Sequence, residues 1–114
     1  MSVLEPNSAA DAAAVALPLE PIPADQVVDG APEAGFAELA DGLGVWEHTP
    51  GTSTDVENDE IFVVLSGRAT VSFPGSDRAP MVLGPGSVGW LAMGTATVWR
   101  VEETLRKVYV SGGA

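Results

Sequence analysis

The stretch Glu60–Gly67 reads E-I-F-V-V-L-S-G, a carboxylate followed by five apolar residues, a serine and a glycine. Isoleucine, phenylalanine and valine favour strands, and glycine allows the chain to turn, so the stretch predicts a strand over 61–65. A second short strand is predicted directly after it, over 69–73. The two runs indicate a β-protein whose strands follow one another closely.

The chain from residue 44 onward has the same texture of short β-prone runs separated by turn residues such as Pro50-Gly51 and Gly84-Pro85-Gly86. The other predicted strands cover 45–49, 53–56, 81–83, 87–91, 95–101 and 104–110. About eight short strands without a long helical pattern predict a sandwich or a closed barrel.

The N-terminal part of the chain differs in composition. Residues 1–20 are rich in alanine, proline and acid, and we predict a flexible tail there. Pro21-Ile22-Pro23 starts an extended arm, and 25–29 is predicted to pair as an edge strand. Residues 34–43 are as compatible with a loop as with one helical turn. We therefore expect a tail over 1–20 and a single domain over 21–114 that includes the arm.

Charge and composition narrow the class of partner. The net charge is −11, no lysine or arginine precedes Arg68, and thirteen of the sixteen acidic residues lie in positions 1–67. Such a field repels phosphate backbones and anionic membranes, so we expect neither nucleic acid nor membrane as a partner. Cysteine is absent, which excludes disulfides and zinc–thiolate sites. Without a recognisable signal or membrane-spanning stretch, the expected location is cytoplasmic.

Several motifs occur in a characteristic order. They are Val45-Trp46-Glu47-x-Thr49-Pro50-Gly51, Glu60 and Gly67 with six residues between them, Gly84-Pro85-Gly86, and Trp99-x-Val101-x-x-Thr104-x-Arg106-Lys107-x-Tyr109-Val110. Together they resemble the cupin superfamily, in particular its small ureidoglycine aminohydrolase-like and ethanolamine-utilisation-like members. The resemblance covers about residues 21–111 and implies an all-β fold, a small double-stranded β-helix barrel of jelly-roll type with an extended N-terminal arm. It also implies a homodimer that pairs through arms or sheet edges.

The resemblance implies a divalent metal ion bound by three histidines and a glutamate in typical cupins. In this chain the corresponding positions hold Thr54, Val56, Glu60 and Thr97, so one ligand of four is present. Valine donates nothing, and threonine hydroxyls are poor ligands for manganese, iron or zinc. The only histidine, His48, lies on another predicted strand, where we expect an exposed or rim position. We therefore expect no metal and no cofactor.

A pocket is predicted from the alternation of strand residues. If Thr97 faces the interior then so does Trp99, and Phe62 shares a face with Glu60. The predicted pocket contains Thr54, Val56, Glu60, Phe62, Thr97 and Trp99. A buried carboxylate is costly unless it is paired. An inward Glu60 therefore needs a ligand cation or a basic partner such as Arg100, Arg106 or Lys107, and the alternative is a half-exposed acid at a strand end.

The last predicted strand places Lys107 and Tyr109 on one face and Arg106 on the other. The sequence leaves three environments open for Lys107: water, a dimer interface, or a ligand carboxylate.

These observations lead to a hypothesis of a metal-independent small cupin that binds a small polar metabolite inside its barrel, with Glu60 as the candidate catalytic residue. The alternative is a cupin enzyme, aminohydrolase- or isomerase-like, that acts on a small nitrogenous or sugar metabolite. The missing ligands count against its metal-dependent forms. A third possibility is an interaction module with an ordinary packed barrel, and the sequence leaves open whether the chain is an enzyme at all.

Overall fold

The computed structural model describes residues 4–112, and the regular secondary structure of these residues is almost entirely β-strand. The strands are β1 (Glu20–Pro21), β2 (Val27–Asp29), β3 (Glu33–Ala40), β4 (Leu43–His48), β5 (Gly51–Val56), β6 (Glu60–Ser72), β7 (Met81–Leu83), β8 (Val88–Leu91) and β9 (Ala96–Ser111), with one turn of 3-10 helix over Ala24–Gln26. The predicted all-β fold is confirmed. Within residues 4–112, no helix has the length and apolar character needed to cross a membrane.

Two long strands, β6 and β9, run through the whole fold and pair antiparallel with each other, from Glu60 opposite Ser111 to Ser72 opposite Val98. One half of this pair continues through β4, β3 and β1 on one side and β8 on the other. The other half continues through β5 and β2 on one side and β7 on the other. The strands of residues 4–112 thus form one curled antiparallel sheet, the small cupin barrel that was expected.

The bend of β6 lies at Gly67, which has a φ of +92°. A Cβ at this position would overlap the carbonyl group of Thr104 on β9, so the close approach of the two strands requires glycine. The register between the strands shifts on both sides of this point, as it does at β-bulges. The prediction of separate strands over 61–65 and 69–73 is therefore corrected, because the chain bends there without leaving the sheet.

The same correction applies to β9, which spans both predicted strands 95–101 and 104–110. Residues 34–43 were expected to form a loop or a helical turn, and this prediction is wrong because Glu33–Ala40 is a strand that pairs with β4. Its two large apolar residues lie on opposite faces, Phe36 at the cavity and Leu39 buried on the other side. Only part of the predicted edge strand 25–29 pairs, as β2 with β5.

Parts of the segment over residues 4–19 contact β3 and β9. The amide of Leu4 donates to the carbonyl of Leu39 at 2.7 Å. Arg106 on β9 donates through Nη1 to the carbonyls of Ala12 and Val15, at 3.0 and 2.8 Å, and through Nε to Glu47 at 2.9 Å. Flexibility of residues 1–20 stays a prediction. It depends on whether the contacts of Leu4 and Arg106 hold the segment against the barrel.

Inner-face side chains from both halves of the sheet form the hydrophobic core. The core residues are Phe62, Val64, Ala69, Val71, Leu83, Leu91, Trp99, Val101 and Leu105. Phe62 and Trp99 lie at the border between this core and the cavity described below, so packing fixes the position of the cavity wall.

Candidate ligand-binding site

An open cavity of about 590 Å³ lies on the inner face of the curled sheet. Strands β3, β4, β5, β6 and β9 present alternate side chains to it, and the arm over residues 20–26 borders it on one side. Its aromatic walls come from Phe36, Trp46, Trp99 and Tyr109. Its ionisable groups include Glu20, Glu38, His48, Asp55, Glu57, Glu60 and Lys107. Apolar walls with a few convergent polar groups are typical of small-molecule sites.

Lys107 is the most unusual side chain of this cavity, because it is charged and only 4% exposed. Strand β9 places it on the inner face, between Trp46 on β4 and Val64 on β6. Its ammonium group forms an ion pair with the carboxylate of Glu60 at the start of β6. Removing an ammonium from water costs several kcal/mol unless it is paired and hydrogen-bonded, and Glu60 supplies that pair.

Three aromatic rings complete the surroundings of this ammonium group. The distances from Nζ to the ring centroids are 4.5 Å for Trp46, 4.7 Å for Phe62 and 4.8 Å for Trp99. Ring faces carry partial negative charge and attract a cation within about 6 Å of their centroids. Lys107, Glu60 and these three rings are called the lysine cage below. The cage holds the ammonium group of Lys107 at the cavity wall.

His48, the only histidine of the chain, is 1% exposed, so the expected exposed or rim position is wrong. Strand pairing puts it opposite the fully buried Leu105. Nδ1 donates to the carbonyl of Thr49 at 2.6 Å, which leaves Nε2 to accept from the hydroxyl of Ser53 at 2.8 Å. Burial lowers the pKa of His48, the carbonyl opposes this effect, and the charge of Lys107 adds to it. The ring is therefore neutral at pH 7.

Glu57 is a second buried carboxylate at the cavity, with 7% of its surface exposed. Its Oε2 atom accepts hydrogen bonds from the hydroxyl of Thr97 at 2.6 Å and from the indole N–H of Trp99 at 3.0 Å. Both donors are neutral, in contrast to the ammonium that pairs with Glu60. Burial and then the charge of Glu57 raise the pKa of the neighbouring Asp55, which shows that like charges meet here.

The two predicted pocket residues on β5 are placed differently from expectation. Asp55 lies opposite Thr97 across the β5–β9 pair, so alternation turns Ser53 and Asp55 inward and Thr54 and Val56 to the other face. Val56 is 67% exposed and lies outside the cavity, whereas Thr54 still borders it. The expectation had the wrong face because a shift of one residue exchanges the two faces of a strand.

The other predicted pocket residues are brought together by β6 and β9. Glu60 and Trp99 line the cavity directly. Phe62 lies behind the cavity wall, with its ring facing the ammonium of Lys107. Thr97 is also buried, and its hydroxyl donates to Glu57. Phe62 and Thr97 thus support the groups that line the cavity.

The donor set does not fit the metal site of typical cupins. Of the four corresponding positions, Thr54 and Val56 lie on the outward face of β5. The hydroxyl of Thr97 donates to a carboxylate, and Glu60 is paired with the ammonium of Lys107. Among residues 4–112, no group of three or more histidine, cysteine, aspartate or glutamate side chains is arranged to hold a metal ion. We therefore derive no chemistry through a metal.

Sequence reasoning did not identify Glu57 and Trp46 as part of the site. Glu57 stands in an acidic run that is typical of a solvated turn, and its burial depends on donors about forty positions away, on β9. The position of Trp46 could have been predicted from its spacing to His48, because residues two apart lie on the same face of a strand. For Lys107, the environment among the rings depends on a register between distant strands that the sequence does not display.

The family model of the EutQ-like cupin domain matches residues 38–109, which is more than half of the chain and includes the whole lysine cage. The chain belongs to the EutQ-like cupin domain family. No functionally curated protein sequence matches this cupin.

Solved structures show the same fold at low identity. A protein of unknown function (DUF1255) from Acidithiobacillus ferrooxidans has a TM-score of 0.61 and 22% identity, with 85% of this chain and 91% of that chain covered. The EutQ protein of Clostridium difficile has a TM-score of 0.58 and 18% identity, with 81% and 79% covered. A DUF861 protein from Pseudomonas syringae has a TM-score of 0.71 and 19% identity, with 90% of this chain and 46% of that chain covered. These similarities show the fold of this cupin and nothing further about its activity.

Proposed function

We propose that this EutQ-like cupin binds a small polar metabolite in its cavity, and that it does so without a metal ion. The observation that carries the proposal is the lysine cage, a buried ion pair that borders an open cavity. Replacing a buried ion pair with well-packed apolar residues is often neutral or stabilising, so stability alone does not explain why Lys107 and Glu60 are here. A binding site does explain them, because its polar groups must be fixed before the ligand arrives.

The geometry divides the work of binding between rings and charges. Trp46, Trp99, Phe36 and Tyr109 offer flat apolar surface at low conformational cost. The ion pair of the lysine cage and the carboxylate of Glu57 offer oriented polar groups. Arm residues 20–26 add a wall that does not belong to the central strands, so a ligand in the cavity contacts both the barrel and the arm.

The test is a thermal-shift screen of the untagged protein against a metabolite library that contains cations, anions and neutral compounds in equal numbers. A ligand at 100 times its Kd stabilises the folded state by about 2.7 kcal/mol, which raises Tm by several degrees. Glu60→Gln is expected to weaken the response, whereas the control Glu102→Gln, on an exposed surface pair, leaves it unchanged. A library in which no compound stabilises the wild-type protein contradicts the proposal and favours an ordinary packed barrel.

Catalysis is a second candidate, favoured by the position of Glu60 on the cavity wall, where its carboxylate is within reach of a bound metabolite. The reaction class is proton transfer on a small nitrogenous or sugar metabolite, with Glu60 as the group that accepts or donates the proton. Turnover of a screened ligand by wild type that disappears in Glu60→Gln, while binding of that ligand persists, is the expected result for an enzyme. Binding without turnover identifies a carrier or sensor.

We also propose that this cupin is a homodimer. Apolar side chains cover the outward face of β8, β6 and β9, where Trp90 and Val110 flank Ile61, and Val88 lies opposite Val63. Trp90 is 66% exposed. A chain with a net charge of −11 repels its own copies except at an uncharged face such as this one. Light scattering after size exclusion is expected to show a dimer. Trp90→Ser is expected to dissociate this dimer, whereas the control Val82→Ser, a change elsewhere on the surface, leaves it intact.

A cytoplasmic location of this cupin remains a prediction.

A further inference from the structure

The wall of the cavity carries more negative than positive charge. Its carboxylates belong to Glu20, Glu38, Asp55, Glu57 and Glu60. Its basic groups are Lys107, which is paired with Glu60, and His48, which is buried and neutral. The charges of Lys107 and Glu60 cancel within the lysine cage. The other four carboxylates line the cavity without a cationic partner from its wall.

Glu57 shows this imbalance most clearly. Both of its hydrogen bonds end on Oε2, so Oε1 receives no donor from residues 4–112. Within the same residues, every fully shielded side-chain nitrogen or oxygen has a partner, so Oε1 is not fully shielded and keeps access to the cavity that Glu57 lines. None of the ion pairs formed by the described residues includes Glu57. Glu57, a residue with 7% of its surface exposed, thus keeps one carboxylate oxygen without a hydrogen-bond donor from residues 4–112 beside the cavity that it lines.

The missing countercharge is better supplied by an organic cation than by a metal ion. A cavity of about 590 Å³ is far larger than a single ion, and no group of acidic or histidine side chains in residues 4–112 is arranged for metal coordination. The indole of Trp99, which donates to Glu57, also presents its ring to the ammonium of Lys107. Aromatic rings next to a carboxylate are a recurrent environment for ammonium groups, and the lysine cage is an example inside the same cavity.

We infer that the ligand of this cavity is a small organic cation, an amine or a quaternary ammonium compound, with its charged nitrogen at Glu57 and Asp55 and its carbon frame along the aromatic wall. This inference rests on the proposed function and adds the charge class of the ligand. An anionic metabolite is disfavoured, because it meets four uncompensated carboxylates and finds the one ammonium group already paired.

The test uses three probes with the same length and a different charge: 4-aminobutan-1-ol, butane-1,4-diol and 4-hydroxybutanoate. Titration is followed by NMR at the indole N–H of Trp99, which reports directly on its bond to Glu57. We expect the amine to bind at least about tenfold more tightly than the diol, with the anion weakest, since a charge pair at a partly buried site contributes on this scale.

Two variants locate the effect. Glu57→Gln is expected to reduce the preference for the amine over the diol. Because Glu57 is buried and its replacement can disturb folding, the exposed residue Asp55 provides a second variant, and Asp55→Asn is expected to reduce the preference as well. Glu102→Gln, on a surface ion pair, is the control and keeps the preference.

The inference is overturned by equal binding of the amine and the diol, by tightest binding of the anion, by no binding of the amine, or by an amine preference that both variants retain. In the metabolite screen, hits that are anionic or neutral overturn this inference and leave the proposed function intact. Only a screen without any hit removes the proposed function itself, so the two failures are distinguishable.

Discussion

At the scale of single residues, the site depends on a charged side chain placed where a purely structural barrel would have an apolar one. Lys107 is surrounded by rings and has one carboxylate partner, Glu60. Removing one member of such a pair leaves the other, largely buried charge without its countercharge, and this is costlier than removing both. The pair is therefore expected to behave as a unit in mutagenesis.

Lys107→Met keeps the length of the side chain and removes its charge. We expect the free energy of unfolding to fall by about 3 kcal/mol, because the largely buried Glu60 is left without its countercharge. The double change Lys107→Met with Glu60→Gln is expected to lie closer to wild type than the single change. Urea unfolding of the four proteins in this cycle checks the prediction, and additive single effects contradict it.

His48 gives stability a pH dependence with a definite sign. Burial holds its folded-state pKa below the unfolded value of about 6.5, so the unfolded chain binds more protons as pH falls below 6.5. The stability that neutral His48 contributes is present above this value and is lost as pH falls toward the folded pKa, by at most about 1.4 kcal/mol per pH unit.

The raised pKa of Asp55 acts in the opposite direction, and its contribution is lost as pH rises above about 4. The free energy of unfolding is measured between pH 7.5 and 5.5, values chosen to lie on both sides of the His48 range. In wild type it is expected to decrease on acidification. In His48→Gln this loss is expected to be smaller. A variant with the same slope as wild type would show that other groups cause the dependence.

At the scale of elements, the two long strands and their bend decide where the cavity lies. Gly67→Ala places a methyl group against the carbonyl of Thr104 and forces a left-handed backbone on alanine. We expect a loss of at least about 2 kcal/mol, since both strain and overlap contribute. The matched control is Gly75→Ala, which has a φ of +77° but open space around the new methyl group, and it should cost about 1 kcal/mol. Equal losses in thermal or urea unfolding would contradict the importance of the close approach.

Sequence patterns predicted most strands because β-prone runs and turn residues are local signals. They divided β6 at Ser66-Gly67 and β9 at Glu102-Glu103, because an irregularity inside a long strand resembles a turn when only the sequence is read. They also assigned Thr54 and Val56 to the inside, since spacing from a motif does not fix register, and one residue exchanges the faces. The environments of Glu57 and Lys107 arise from pairing between distant strands, which composition cannot indicate.

At the scale of the whole molecule, the N-terminal segment and the barrel are joined by few polar contacts, and Arg106 makes three of them, with the carbonyls of Ala12, Ala13 and Val15. Arg106→Lys keeps the charge but loses the forked geometry that serves several oxygens at once. We expect faster amide hydrogen exchange in residues 4–19 than in wild type, with no change in β6 or β9. Arg100→Lys, an exposed residue on the same strand, is the control. If exchange in this segment is already complete in wild type, the tail is flexible as the sequence predicts and Arg106 does not hold it.

The central position of β9 also has a consequence for synthesis of the chain. This strand pairs with β4, β5 and β6 and supplies Trp99 and Lys107, yet it leaves the ribosome after every other strand of residues 4–112. Until then, β4, β5 and β6 lack their shared neighbour, and contacts of such large sequence separation make folding slow. A nascent chain therefore exposes unpaired strand edges until β9 is made, and the cavity forms only after translation has passed residue 111.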